Sequence, residues 1–381
     1  MQIIRYSHLD EILPLASDWD QLGRGVPFRS WAWMSNWWRA YGISTNGSAN
    51  SDRQLYVLAV FDHSTELVGL ALWFVRHSAS QGSTVRFLGT GEVCSDYLSL
   101  LCERDREDAV AAALAQWLTE KACRPGPDRW DLLAWEGIDP EDVATRRLSD
   151  QLAQRGHTIH TRPGPNCWRI ELPATWQEHL AELSKDHRKQ LRRLERDYLA
   201  TGRARLHTAT NRDEFETARR ILIDLHQRRR TALGEPGCFS SVRFAAFHND
   251  VMPSLLADGR LRLSWVELDG RPAAAEYHVA DGGVVYAYQA GIEPELLEHG
   301  PGRLANLMTI RQAIQRGDRA FDFLRGDEPY KAHWRAKPRA CVDIRVVPTG
   351  ISARIRHGVW LTGVGMKRWL KNGLGLMTGN A

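Results

Sequence analysis

One stretch constrains this chain more than any other. Val284 to Lys331 reads as an apolar strand (VVYAYQAG), a glycine-proline-glycine turn opening a helix (GPGRLANLMTIRQAIQRG), then a second strand and a Tyr-Lys pair (AFDFLRGDEPYKAHW). Proline fixes φ and lacks an N–H, and glycine lets another group approach the backbone with no Cβ in the way. A helix start of this kind offers unpaired N–H groups and the positive end of the helix dipole, which suits a phosphate-bearing cofactor. Two other readings compete: a plain turn that starts a helix, and the dinucleotide fingerprint GxGxxA over Gly300–Ala305, with Asp322 downstream. A dinucleotide turn follows its strand directly. Here Gly291–His299 intervenes, and too little chain follows Asp322 for a doubly wound sheet.

The surrounding pattern predicts an α/β (α+β) protein. At 381 residues the chain is too long for one ordinary core, so two domains are expected. Strands are expected near Gln2–Arg5, Leu55–Phe61, Leu67–Val75, Val85–Gly89, Tyr97–Leu101, Trp130–Trp135 and His157–Thr161. A turn-rich Arg162–Asn166 separates them from a second series. That series runs strand (Cys167–Leu172), helix (Trp176–Tyr198, broken near Ser184), strand (Arg205–Thr208) and two helices. Three strands follow, over Leu261–Leu268, Pro272–Ala280 and Val284–Ala290, joined by Asp269-Gly270 and Asp281-Gly282-Gly283 as hairpin turns. The helix Gly302–Arg316, the strand Ala320–Leu324, a short helix near Glu328–Arg335 and a strand Cys341–Val347 complete it. The first half repeats this order, giving domains at 1–165 and 166–348 and a basic tail at 349–381.

Composition excludes several classes. The net charge of +4 does not suggest a strongly basic nucleic-acid binder. The six cysteines are scattered without CxxC or metal-ligand spacing, so no metal is expected. MQIIRYSHLD has no apolar core of a signal peptide, and Leu67–Val75, the longest apolar run, is too short to span a bilayer. A cytoplasmic protein is expected. There is no GxSxG, Walker or HExxH motif. Trp31, Trp33, Trp37 and Trp38 cluster at helical spacing, either as a core helix or as an aromatic wall for a sugar or a pantetheine chain. Lys185–Arg230 is rich in Lys and Arg, either a solvated helix face or a site for an acidic glycan, a CoA phosphate or tRNA. The tail has no acidic residue after Asp343 and interleaves basic residues with Trp360, Leu361, Trp369 and Leu370, which fits either a loose tail or peripheral contact with an anionic membrane.

The segments PFRSWAWMSNWW, GTGEVCSDYLSLL, HGPGRLANLMTIRQAIQRG and FDFLRGDEPYKAHW, in that order, resemble the double-GNAT group of bacterial CelD-like acetyltransferases. The similarity extends more distantly to the FemABX aminoacyl transferases. The resemblance implies two GNAT-like domains, each a mixed, mostly antiparallel sheet flanked by helices, with acyl-CoA lying where the fourth and fifth strands splay. It implies acetyl-CoA or another acyl-CoA as cosubstrate and an amine or hydroxyl of a sugar precursor or cell-envelope glycan as acceptor. A FemABX-like transferase using aminoacyl-tRNA and a non-catalytic scaffold in polysaccharide synthesis are the alternatives.

The same resemblance assigns candidates. Gly300, Gly302, Arg303 and Leu304 stand for the pyrophosphate loop, with the basic residue displaced to Arg303. The backbone of Gln289, Ala290 and Gly291 would flank the thioester. Glu276, Asp322, Tyr330 and Lys331 are the catalytic candidates, with Asp327 or Glu328 as further carboxylates. Tyr330 would protonate the departing thiolate and Lys331 would stabilise negative charge. Asp96, Tyr97 and Tyr288 are the candidates for the acceptor wall. Strand alternation leaves open whether Glu276 and His278, or Tyr277 between them, face the site. In the first half the corresponding helix opens on Glu103, Asp105, Glu107 and Asp108, which would repel a pyrophosphate. Only the second half is therefore expected to bind CoA.

Overall fold

The computed structural model describes residues 1–42, 52–122, 124–139, 141–350 and 353–360. Most of the expected basic tail, including Lys367, Arg368 and Lys371, lies outside the described residues, as does Cys123. The first part of the chain supplies strands β1 (Gln2–Tyr6), β2 (Arg53–Phe61), β3 (Leu67–Ser78), β4 (Gly82–Phe87), β5 (Leu101–Cys102), β6 (Leu132–Ile138) and β7 (Thr158–Glu171). The second part supplies β8 (Ala204–Thr208), β9 (Leu261–Leu268), β10 (Arg271–Asp281), β11 (Val284–Ile292), β12 (Ala320–Arg325) and β13 (Lys337–Val347).

These strands form one 13-stranded sheet in the order β1-β2-β3-β4-β6-β13-β7-β12-β11-β10-β9-β8, with β5 paired to β3. The order is symmetric about the central β13–β7 step. Each half is antiparallel except for one parallel step, β4 with β6 and β11 with β12. Each half is completed by a strand from elsewhere in the chain: β13 pairs with β6, and β7 pairs with β12. The two expected sheets are thus continuous.

Local chemistry sets the hairpins. Asp269 and Gly270 have φ of 49° and 81°, and Gly282 and Gly283 of 54° and 73°. Positive φ at both central residues twists a two-residue turn in the sense of the flanking strands. One expectation fails. Arg162–Asn166 is not a turn but the middle of β7, which runs unbroken through Pro163 and Pro165. Over residues 158–166 this strand pairs with β13, and β12 joins its other side only from Cys167 onward. A proline needs no ladder partner on an unpaired side. The 165/166 point therefore falls inside a strand.

Alternation along β10 divides the core between two faces. Ala275, Tyr277 and Val279 pack among the buried residues of Arg212–Ala232 and Val242–Ala257, whereas Ala274 joins Leu304. The Trp31–Tyr41 helix is N-capped by Ser30, whose Oγ accepts from the Trp33 N–H. The Trp33 ring meets Phe28, Phe247 and Tyr288 edge-on at 4.9, 5.0 and 5.2 Å. This helix therefore bonds the two halves through aromatic packing rather than forming a ligand wall. Among the described residues no helix is long and apolar enough to cross a membrane, and no group of three metal-ligating side chains occurs.

Candidate active site

Strands β11 and β12 pair in parallel only over Val284–Tyr286 and Ala320–Asp322. Beyond this point they part. A cleft of about 510 Å³ opens in the gap. Residues on both faces of β11 line it: Ala287, which packs with the Leu307 and Ile310 core, and Tyr288, which packs with Trp33 and Phe247. Since neighbouring residues of a strand point to opposite faces, one cavity passes through the plane of the sheet.

On one face of the gap the Pro301–Gln315 helix begins. Gly300 takes a left-handed φ of 63° and no side chain caps this end. The first N–H used within the helix is that of Leu304, which donates to the Gly300 carbonyl at 3.0 Å. The N–H groups of Gly302 and Arg303 precede it and have no place in the intrahelical ladder. Gly302 and Asn306 line the cleft. Arg303 is exposed, while Leu304 is fully buried and serves the core through its side chain. On β10, Glu276 faces this side of the cleft, with its Oε2 3.2 Å from His278 Nε2, and Tyr277 faces away. Tyr330 completes the wall at 43% exposure, edge-on to Phe323. Burial by the wall, then the Glu276 and Glu328 carboxylates, raise its hydroxyl above the usual phenol range.

The opposite face is built by both halves of the chain. Glu92, Val93, Cys94 and Asp96, from the segment after β4, meet His226, Arg229 and Arg230 from the second half. Tyr288 lies between them, its hydroxyl donating to the Val93 carbonyl at 2.7 Å. Gln289 and Ala290 line the gap itself. Gly291 serves packing instead, since a Cβ there would lie 2.7 Å from the His226 backbone nitrogen.

Three expected site residues hold the end of β12 instead of facing the cleft. The Lys331 side chain is 2% exposed, and its Nζ donates to the carbonyls of Leu324, Arg325 and Gly326 at 3.2, 2.9 and 2.9 Å. Its donors are thus spent on these carbonyls and on Glu328 Oε2 at 2.8 Å, and it does not line the cleft. Asp322 is fully buried; its Oδ2 accepts from the Tyr97 hydroxyl at 2.7 Å and its Oδ1 from the Leu324 N–H at 2.8 Å. Tyr97 thereby ties the first half of the chain to the second, behind the cleft. All this chemistry converges on Leu324, a non-glycine residue at φ 57°. That conformation costs roughly 1–2 kcal/mol and needs outside support. Asp96, which does line the cleft, adds support with an Arg325 ion pair at 2.7 Å and a bond from the Arg325 N–H at 3.1 Å.

Burial raises the Asp322 pKa to about 6, against the opposing Tyr97 and Leu324 hydrogen bonds. The folded chain therefore holds this proton more tightly than the unfolded chain. The contribution to stability is complete below the ordinary carboxylate value of 3.8 and is lost as pH rises through about 6. Between pH 4 and 7 the stability of the wild type should fall relative to Asp322→Asn by up to about 3 kcal/mol. Denaturant titrations of both proteins at unit pH steps measure it. Parallel curves would mean that Asp322 keeps its charge at no cost.

Among the described residues, aromatic side chains fill the first half's own parallel step. There Phe87 and Trp135 lie 5.9 Å apart, and Trp73 stacks on Trp135 at 5.6 Å. An Arg86–Glu136 ion pair bridges β4 and β6 beside them.

Residues 185–332 match the acetyltransferase (GNAT) domain family. The matched segment contains β8 to β12, the helix start at Gly302 and the cleft lining apart from Glu92, Val93, Cys94 and Asp96. A comparison with curated protein sequences found no match. Among solved structures, FemX superposes with a TM-score of 0.61 at 10% identity, over 90% of this chain and 97% of that one. A conserved protein of unknown function from Bacteroides thetaiotaomicron superposes with a TM-score of 0.54 at 11% identity, over 91% of this chain and 100% of that one. Both likenesses concern the fold. Residues 185–332 are thus similar to an acetyltransferase (GNAT) domain, and the fold of the chain is similar to that of FemX.

The most informative residues missed by sequence reasoning are Arg325, His226, Arg229 and Cys238. Arg325 follows directly on the FDFL strand, and His226 lies in the basic Lys185–Arg230 region already noted. Cys238 had no motif around it; only the fold brings it to the cleft.

Proposed function

We propose that the cleft transfers an acyl group from an acyl-CoA, acetyl-CoA being the simplest, to an amine or hydroxyl of an acceptor entering from the opposite face of the sheet. One observation carries this: the cavity passes through the sheet where β11 and β12 part, so two substrates can meet from opposite sides. Such an arrangement holds the reacting atoms together without either ligand blocking the other. The uncapped N–H groups of Gly302 and Arg303, with the Arg303 guanidinium, suit a pyrophosphate on one side. Gln289 and Ala290 would flank the thioester at the gap. Tyr330 would donate a proton to the departing thiolate, and Glu276, paired with His278, would accept one from the acceptor. Asp96 and Tyr288 would wall the acceptor side. The filled parallel step in the first half supports a single CoA site. A sugar precursor or cell-envelope glycan, as in CelD-like enzymes, is our choice of acceptor.

The likeness to FemX over nearly the whole of both chains favours a second reading, in which the donor is aminoacyl-tRNA. Calorimetry against acetyl-CoA, CoA and longer acyl-CoAs separates the two: binding of an acyl-CoA supports the first, and its absence with retained tRNA binding supports the second. Absence of both would favour a scaffold. In the acyl-CoA case, Tyr330→Phe should lower kcat roughly 100-fold. The melting temperature should not change, because the Tyr330 side chain is half exposed and its ring keeps the Phe323 contact. Unchanged kcat would remove Tyr330 from the mechanism.

A further inference from the structure

A cysteine and a histidine stand together in the cleft with no part in the scheme above. Cys238 Sγ lies 3.3 Å from His226 Nε2. His226 Nδ1 lies 3.0 Å from the Ala290 carbonyl oxygen. A carbonyl can only accept, so Nδ1 carries the hydrogen, and Nε2 of the neutral ring presents its lone pair to the thiol. The Cys238 backbone N–H also points to Nε2, at 3.4 Å. The three groups form a chain of nucleophile, base and orienting acceptor, the arrangement that activates a weak nucleophile.

The surroundings fix this arrangement. His226 is 2% exposed and sits on the Arg212–Ala232 helix, which packs against β11. Gly237, just before Cys238, has φ of 71°, and a Cβ there would lie 2.2 Å from Gln227 Oε1. Gln227 Nε2 in turn donates to the Pro236 carbonyl at 3.0 Å. The loop that carries Cys238 is thus held to the same helix that carries His226. Both residues line the cleft, and Ala290, which orients the ring, stands at the gap between the parted strands.

We propose that Cys238 is a further catalytic residue that receives the acyl group, with His226 as its base, so that transfer proceeds through an S-acyl enzyme. This rests on the acyl-thioester reading of the cleft. Cys238 Sγ attacks the thioester carbonyl carbon while His226 Nε2 takes the thiol proton. The bond from that carbon to the donor's sulfur breaks, and the departing thiolate takes a proton from Tyr330 while His226 holds the thiol proton. The new thioester on Cys238 is then attacked by the acceptor's N–H or O–H group, whose proton passes to Glu276 and on to Tyr330, while His226 returns its proton to the released Cys238 sulfur. Thioester is exchanged for thioester in the first step, so no oxidant or reductant is required. Burial raises the Cys238 thiol to about 12 and lowers His226. The resting pair is therefore neutral, and removal of the thiol proton during attack is the step that needs a base. Arg230, which also lines the cleft, places its positive charge where the thiolate develops.

Acceptor-free experiments on the full chain test this. Wild type, Cys238→Ala and His226→Gln are incubated with acetyl-CoA and labelled CoA, and exchange of label into acetyl-CoA is followed. In parallel each protein is treated with p-nitrophenyl acetate, an acyl donor that needs no CoA site, and the acetylated peptide is identified by mass spectrometry. The expected result is exchange by the wild type and a hydroxylamine-labile acetyl group on Cys238. Exchange should be lost in Cys238→Ala, while calorimetric binding of CoA persists. In His226→Gln both rates should fall roughly 100-fold or more. Binding of acetyl-CoA without exchange and without a Cys238 adduct overturns the proposal and leaves direct transfer standing. Modification of Cys94, the other cysteine of the cleft, in place of Cys238 also overturns it. Failure to bind any acyl-CoA defeats the donor assignment instead; an absent Cys238 adduct from p-nitrophenyl acetate then overturns the nucleophile independently.

Discussion

Replacing Arg325 by leucine should lower the unfolding free energy by roughly 2–3 kcal/mol, below the full cost of breaking a buried ion pair because Asp96 is buried but the Arg325 side chain is 35% exposed. Asp96, 1% exposed, would keep the Arg325 main-chain N–H and the Cys167 thiol but no charged partner. Its carboxylate would then lie buried beside Tyr97 with no counter-charge, and burial already raises its pKa in the intact protein despite Arg325. The Ser95 carbonyl would lose its bond from the guanidinium as well. Activity should fall with stability, because Asp96 and Arg325 both line the cleft. The double variant Asp96→Leu/Arg325→Leu should recover most of the lost stability, since removing both charges leaves none unpaired. Urea titrations of the two single variants and the double variant form the required cycle. A cost under about 1 kcal/mol for Arg325→Leu would show the pair to be effectively solvated.

Lys331→Ala should cost roughly 2–4 kcal/mol, from carbonyls left without a donor where β12 ends. The side chain is almost wholly enclosed and its ammonium serves three carbonyls in succession, among them that of Leu324 in its left-handed conformation. Lys331→Met keeps the apolar stem and removes only the ammonium. A similar loss in both variants would assign the effect to the carbonyls, whereas recovery in Lys331→Met would assign it to packing. The ion pair with Glu328 adds little, because that carboxylate is 57% exposed. A kinetic readout separates positioning from charge stabilisation. If Lys331 acts through the shape of β12, its loss should weaken acyl-CoA binding and lower kcat together. Loss of kcat alone at unchanged stability would restore a direct role in the reaction.

The reach of sequence reasoning differed between elements for physical reasons. Hairpin turns were legible because two adjacent positive-φ residues can be met by very few dipeptides, Asp269-Gly270 among them. The Trp176–Leu199 region was legible for a similar local reason: Thr175 and Ser184 each cap a helix with their own hydroxyl, so the break between them is written into the chain. Arg162–Asn166 was not legible. Its prolines signal a turn locally, and only the vacancy on one side of β7 makes them acceptable in a strand.

Within the site, Glu276, Tyr330, Tyr288, Asp96 and Gly302, all singled out in the sequence, line the cleft. Asp322, Lys331 and Tyr97 were singled out with them, but their polar groups turn to the backbone and to each other. Composition and spacing identify a residue that can do chemistry; they do not say where its donors are spent. Cys238 and His226 show the converse, a thiol and an imidazole twelve positions apart that a sharp turn at Gly237 folds back into contact.

By itself, then, the sequence determined the local pieces: the strand, turn and helix order of Val284–Lys331, the glycine at the helix start and the repeat of that order in both halves. Those follow from φ/ψ preferences, capping and periodicity, which act over a few residues. The tertiary structure alone decided that β7 and β13 cross between the halves, that β11 and β12 separate after Tyr286, and which polar side chains face the opening. Those outcomes depend on contacts between residues far apart in the chain, where burial and the pairing of every buried polar group select among arrangements that local preferences leave equal.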